Sequence, residues 1–152
     1  MAKCKTPQFF FDAESGRTTC ILTDGKHEFI GKAYCCDEDR DMMSEKTGCA
    51  ISLMRAEIEY YIHMRDNEIL PVLAALKHLY ACISHGSNFN ALSHENVLLR
   101  RQIHQKESDL TVVRQLLTEK KQELKTIIAE KDKFYKRIRA NRAAKEDSVG
   151  QN

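Results

Sequence analysis

His78, Cys82 and His85 stand at i, i+4 and i+7, a spacing that sets two imidazoles and a thiol on one side of a helix. This is ligand chemistry for zinc, but a structural zinc site takes four ligands and only three are local. We read these residues as the border of an amphipathic helix and expect no metal. Cys35-Cys36 would be redox active only beside a cation that lowered a thiol pKa, and the residues that follow, Asp37-Glu38-Asp39, are acidic. The cluster from Asp37 to Asp41 lacks the regular oxygen spacing and the bidentate Glu of a calcium loop. It reads as a solvated turn with its carboxylates near a helix N-terminus, where Ser44 or Thr47 can cap. No nucleophile elbow, phosphate loop, dinucleotide fingerprint or His-Glu-x-x-His is present, so neither catalytic residues nor a cofactor are expected.

The six cysteines fall at 4, 20, 35, 36, 49 and 82 with no Cys-x-x-Cys pair, which points to reduced thiols. There is no run of about 18 apolar residues, and Met1-Ala2-Lys3-Cys4-Lys5 leads into Thr-Pro, not a hydrophobic stretch. The expectation is a cytoplasmic protein with no membrane association. Its net charge of +2 hides an asymmetry: residues 1–91 carry ten Lys/Arg against thirteen Asp/Glu, residues 92–142 thirteen against seven. Arg137-Ile138-Arg139-Ala140-Asn141-Arg142-Ala143-Ala144 resembles part of a leucine-zipper basic region. In those proteins the basic segment precedes the heptads, and here it follows them. Non-specific phosphate contact through Lys131–Arg142 stays open, but sequence-specific DNA reading is not expected.

The positioning elements begin with residues 8–36, which read as strands. Phe9-Phe10-Phe11 and Arg17-Thr18-Thr19-Cys20-Ile21-Leu22 flank a turn at Glu14-Ser15-Gly16. Asp24-Gly25 favours a tight hairpin into a third strand that places Phe29, Gly31, Ala33 and Cys35 on one face. Three short strands need a helix to lie on. Ile51, Met54, Ile58 and Tyr61 supply its stripe. Pro71 requires a kink or restart, and Leu70, Leu73, Leu76, Tyr80 and Ile83 carry the pattern on to Gly86. From about Leu92 to Ile138 the chain is an uninterrupted helix in heptads. Leu99, Ile103, Leu110, Val113, Leu117 and Leu124 fill a coiled-coil seam that demands a partner helix. Asn96 within that seam would fix register, and Lys106, Lys120 and Lys131 can lay their methylenes along it. The expected fold class is α+β: a three-stranded antiparallel sheet packed on a helix, then a helical hairpin ending in a long coiled-coil helix. The expected segments are a β-meander over 1–45, a helical segment over 46–86, an oligomerisation helix over 87–144 and a disordered tail over 145–152.

The stretch Gly31-Lys32-Ala33-Tyr34-Cys35-Cys36-Asp37-Glu38-Asp39, followed by Thr47-Gly48-Cys49-Ala50-Ile51-Ser52-Leu53-Met54-Arg55-Ala56, resembles the sheet-to-helix junction of short bacteriophage accessory proteins. It is most similar to the first family of Thoeris anti-defence proteins, with Ser52 standing where that pattern has alanine and Cys36 as an extra residue. The resemblance implies an N-terminal antiparallel sheet joined to long C-terminal helices, oligomerisation through them, and sequestration of cyclic ADP-ribose isomers between protomers without cleavage. A nucleotide signal needs guanidinium groups for phosphate, an apolar plane for its base and amides for its riboses. Asn88, Phe89 and Asn90 with Asn96, Arg100 and Arg101 could meet across a dimer seam to supply these. Equally, Phe89 could plug the turn between helices while the arginines are solvated. Two function classes follow: a sponge for a cyclic nucleotide immune signal acting in the host cytoplasm as a homo-oligomer, dimer or higher, and a coiled-coil adaptor or inhibitor that holds a host protein through its sheet.

Overall fold

The computed structural model describes residues 6–35, 44–86, 90 and 93–149, with side chains up to Ala144. The chain is an α+β protein. Strands β1 (Gln8–Asp12), β2 (Arg17–Thr23) and β3 (Glu28–Tyr34) form one antiparallel sheet in the order β1-β2-β3. Helices α1 (Glu45–His63), α2 (Leu70–Ser84) and α3 (His94–Val149) follow, and Ser44 caps α1 through a hydrogen bond that the Thr47 amide donates to its hydroxyl at 3.3 Å. No helix among the described residues is long and apolar enough to cross a membrane. The Asp37–Asp41 cluster expected to sit before α1 lies outside the described residues.

Both hairpins are built by aspartates that accept backbone hydrogen bonds. Asp12 accepts the Ser15 hydroxyl first of all and then the amides of Ser15 and Glu14, which hold its carboxyl below the usual range. Asp24 receives the amides of His27 and Lys26, both at 2.8 Å, and these hold its pKa down at about 2. That contribution is complete above the ordinary carboxylate range and is lost only as the pH falls towards 2. The turn differs from the tight Asp-Gly hairpin expected from sequence. Thr23 pairs with Glu28, so four residues form the loop, and Gly25 alone takes a positive φ (96°) while Asp24 serves as an acceptor.

The described chain divides into two compact units. One comprises the residues up to Glu59 together with those from Lys120 onward; the other is Tyr60–Glu119. α1 and α3 each contribute to both, which the linear division into segments 1–45, 46–86 and 87–144 did not anticipate.

In the first unit the strand alternation is as expected: Thr18, Cys20 and Leu22 on β2 and Phe29, Gly31 and Ala33 on β3 are buried. The helix face that meets them is less obvious. Ile51 and Ile58 are buried as the stripe predicts, but Ser52 and Ala56 are buried completely. These small residues allow backbone-to-backbone approach at Gly31, where a Cβ would strike the Ser52 carbonyl and come within 2.5 Å of the Ala56 amide nitrogen. Arg55 closes the same joint by donating from its guanidinium to the Lys32 carbonyl. Burial first, then the neighbouring Cys49 and Glu57, push the Cys20 thiol up to about 11. Alkylation with iodoacetamide at mildly alkaline pH is therefore expected to label exposed Cys82 and to reach Cys20 only after denaturant is added; equal rates at the two thiols would contradict this packing.

Pro71 acts as expected, with an added detail. The helical run from α1 to α2 is not broken; it widens into a π-helical turn at Met64–Ile69 and resumes with Pro71 in the first turn of α2. A wider turn makes room for a ring that would otherwise meet the preceding carbonyl. At the other end, α3 continues to Val149, past the point where a tail was expected from Lys145. Ala143-Ala144-Lys145-Glu146 are good helix formers, and no glycine intervenes before Gly150.

Candidate functional site

The second unit, Tyr60–Glu119, holds the residues that sequence singled out for ligand binding and assembly. Its core is made by Tyr60, Met64, Ile69 and Leu73 together with Leu99, Leu110, Val113 and Leu117 of α3. The heptad pattern is right in this half: each of these α3 positions is buried within the single chain, Val113 completely, and Ile103 and Lys106 are half-buried. The partner that the stripe demands is therefore supplied largely by the same polypeptide. Lys77 on α2 meets Glu107 on α3 at 2.7 Å and holds that carboxyl below its usual range. Both ends of this pair are well exposed, so it orients more than it stabilises.

Beyond Lys120 the heptads lose register. Leu124 is half-buried, but Phe134, placed in the seam by a strict seven-residue count, is exposed, and its neighbour Tyr135 is buried. The buried face drifts by one position, as a straight helix of 3.6 residues per turn does against a 3.5-residue repeat. Tyr135 lines a small cavity with Thr18, Ala33 and Ile51 in the first unit, and the Lys131 ammonium lies 5.7 Å from the Tyr135 ring centroid. Lys120 ends between two carboxylates, Glu57 at 3.0 Å and Glu123 at 3.2 Å. Burial lowers its pKa, but these acids outweigh that and hold it above its ordinary value. Lys133, Lys136 and Arg137 of the basic segment are exposed.

Asn96 is buried, as a seam residue should be, but its amide does not await a second helix. It donates to the carbonyl of Asn90 at 2.5 Å, and the same carbonyl accepts the Ser93 amide at 3.1 Å. Ser93 in turn caps α3 by accepting the Asn96 amide at 3.3 Å. Asn90 and Asn96 are thus brought together as a fastening of the loop to the first turn of α3. Replacing Asn96 with alanine leaves a carbonyl short of one donor and is expected to cost about 1–2 kcal/mol, read as a lowered urea midpoint. An unchanged midpoint would refute that role.

Arg100 and Arg101 are exposed on the following turns, and Asn88 and Phe89 lie outside the described residues. His78 and Cys82 do approach, with 3.6 Å between Nε2 and Sγ, whereas the His85 ring faces the Ser84 hydroxyl at 3.3 Å. Zinc spacing in the sequence therefore does not carry through to one three-ligand group at this helix end.

What sequence reasoning missed is the surface left uncovered. On α2, Val72, Leu79 and Ile83 are exposed and Leu76 is half-buried, a stripe at i, i+7, i+11 and i+4. Only Leu73 of this helix is fully buried. On α3, Val97, Leu98 and Val112 are exposed, and Arg101 sits one turn after Val97. The signal was present: between Leu70 and Ser84 only Lys77 carries a full charge, and a helix apolar all round is one that something covers. No protein family, curated protein or solved structure matches the chain.

Proposed function

We propose that the chain is a non-catalytic accessory protein of the phage anti-defence kind, which sequesters a cyclic nucleotide immune signal, a cyclic ADP-ribose isomer, without cleaving it. The observation that supports this most is the exposed surface of the second unit, where Val97 and Leu98 stand beside Arg100 and Arg101 while α2 presents Val72, Leu79 and Ile83. A second copy laid on that surface would form a homo-oligomer, dimer or higher, and would enclose apolar area, guanidinium groups and the Asn90–Asn96 loop at one place. Those are the groups that a base, a pyrophosphate and riboses call for. On this reading assembly runs through α2 and the outer side of α3, while the heptad seam is internal. Its place of action would be the cytoplasm of the host.

A thermal-shift screen with cyclic nucleotide messengers tests the reading. A cyclic ADP-ribose isomer at about 100 times Kd should raise Tm by roughly 5–10 °C, and Arg100→Ala with Arg101→Ala should abolish the shift. Absence of a shift with every messenger would sink the sponge. The second reading, an adaptor that holds a host protein through its sheet, is favoured by a different observation: Phe9, Phe10 and Phe11 are all exposed on the edge strand β1. It predicts one stoichiometric host protein retained by the purified chain and lost with Phe9→Ser and Phe11→Ser.

A further inference from the structure

Among the described residues, no helix covers the sheet face opposite Thr18, Cys20 and Leu22. In the observed register, Phe10, Thr19 and Lys32 form one cross-strand row on that face, Arg17 and Tyr34 a second, and Ile21 and Ile30 a third. Phe10 is 55% exposed and Tyr34 59%. At the edge strand β3 this face opens into a groove of about 510 Å³ lined by Ile30, Lys32 and Tyr34 from the strand, by Arg55, Ile58 and Glu59 from α1 and by Leu124 from α3. Every one of these residues belongs to the first unit.

The chemistry of the lining is specific. Lys32 and Arg55 have no carboxylate partner among the described residues, and Arg55 directs one guanidinium N–H to the Lys32 carbonyl, which fixes the guanidinium at the groove with further donors to offer. Two cations at one groove, neither of them in an ion pair among the described residues, complement an anion with several oxygens. Tyr34 offers an exposed aromatic plane beside the apolar side chains of Ile30 and Ile58, suited to a flat heterocycle. Glu59 can accept only, so it fits a ribose hydroxyl or an exocyclic amine and repels a second phosphate. The volume lies in the range that small ligands occupy.

We propose that this groove is a nucleoside monophosphate site contained within a single protomer, with the phosphate between Lys32 and Arg55, the base on Tyr34 and a sugar hydroxyl on Glu59. It goes beyond the sponge reading, whose pocket lies in the other unit and needs a second copy; either can fail without the other.

The test is calorimetric titration of the full-length chain with AMP and, separately, with adenosine. AMP should bind saturably and adenosine at least about tenfold more weakly, because the cations recognise the phosphate. Lys32→Gln and Tyr34→Ala should each weaken AMP about tenfold or more, whereas Tyr34→Phe should bind as the parent does. Lys32 and Tyr34 are surface side chains, so these variants should keep the parent Tm, which separates lost binding from lost folding. Arg100→Ala should leave AMP binding unchanged. No saturable binding at millimolar AMP, binding indifferent to Lys32→Gln and Tyr34→Ala, or loss with Arg100→Ala would each overturn the assignment.

Discussion

Replacing Gly31 with alanine should destabilise the protein by about 3 kcal/mol or more, a fall of roughly 6–12 °C in Tm. At this position the strand and α1 approach through their backbones. A methyl group would meet the Ser52 carbonyl and the Ala56 amide nitrogen, and neither is a flexible side chain that can turn away. The helix would have to lift from the sheet, uncovering Cys20, Phe29 and Ala33, and with it the Arg55 hydrogen bond to the Lys32 carbonyl would be stretched. Gly25→Ala is the control. Nothing lies within 4 Å of a Cβ there, so only the positive φ is strained and the cost should be about 1 kcal/mol. Equal losses at the two glycines would mean that the close approach of β3 to α1 does not hold the first unit together.

Val113→Asp should cost about 4 kcal/mol or more and remove amide-exchange protection across Tyr60–Glu119, because it leaves a carboxylate at a position with no solvent access. Leu110→Asp together with Leu117→Asp should do the same. These residues are the heptad seam, and had the seam joined two copies, charging it would only dissociate them. Leu79→Asp makes the opposite prediction. Leu79 is 50% exposed, so the change should leave monomer stability within about 0.5 kcal/mol and abolish self-association seen by light scattering. If instead the seam variants give folded monomers and Leu79→Asp still associates, assembly through α2 is refuted.

These contrasts show which parts of the molecule could be read from residues alone. The sheet, its inward face and the helix order follow from period-two alternation, turn residues and heptads, which are local signals. So does Ser44 as the cap of α1 and Pro71 at the start of α2. The small-residue joint at Gly31, Ser52 and Ala56 was hidden because hydrophobic periodicity counts large side chains, whereas close packing here depends on their absence. The heptads place Asn96, Leu99, Leu110, Val113 and Leu117 at buried positions, with Ile103 and Lys106 half-buried, but could not say whose helix covers them, since a stripe specifies a partner surface and not a partner chain. For the candidate site, Asn90 and Asn96 do meet, though as a structural fastening, and Arg100 and Arg101 are exposed as a binding role requires. The uncovered face of α2 is not legible in the stripe of Leu70, Leu73, Leu76, Tyr80 and Ile83, because periodicity marks an apolar side without saying what covers it, and only Leu73 is fully buried there.

On the proposed function, the protein holds a cyclic nucleotide signal intact. This is tested most directly by incubating the purified chain with a cyclic ADP-ribose isomer, removing free ligand, denaturing the complex by heat and identifying the released molecule by mass spectrometry. Stoichiometric recovery of the unaltered isomer is expected from the parent protein, and none from the Arg100→Ala, Arg101→Ala variant. Recovery of a cleaved product, or of no ligand from the parent, would contradict it.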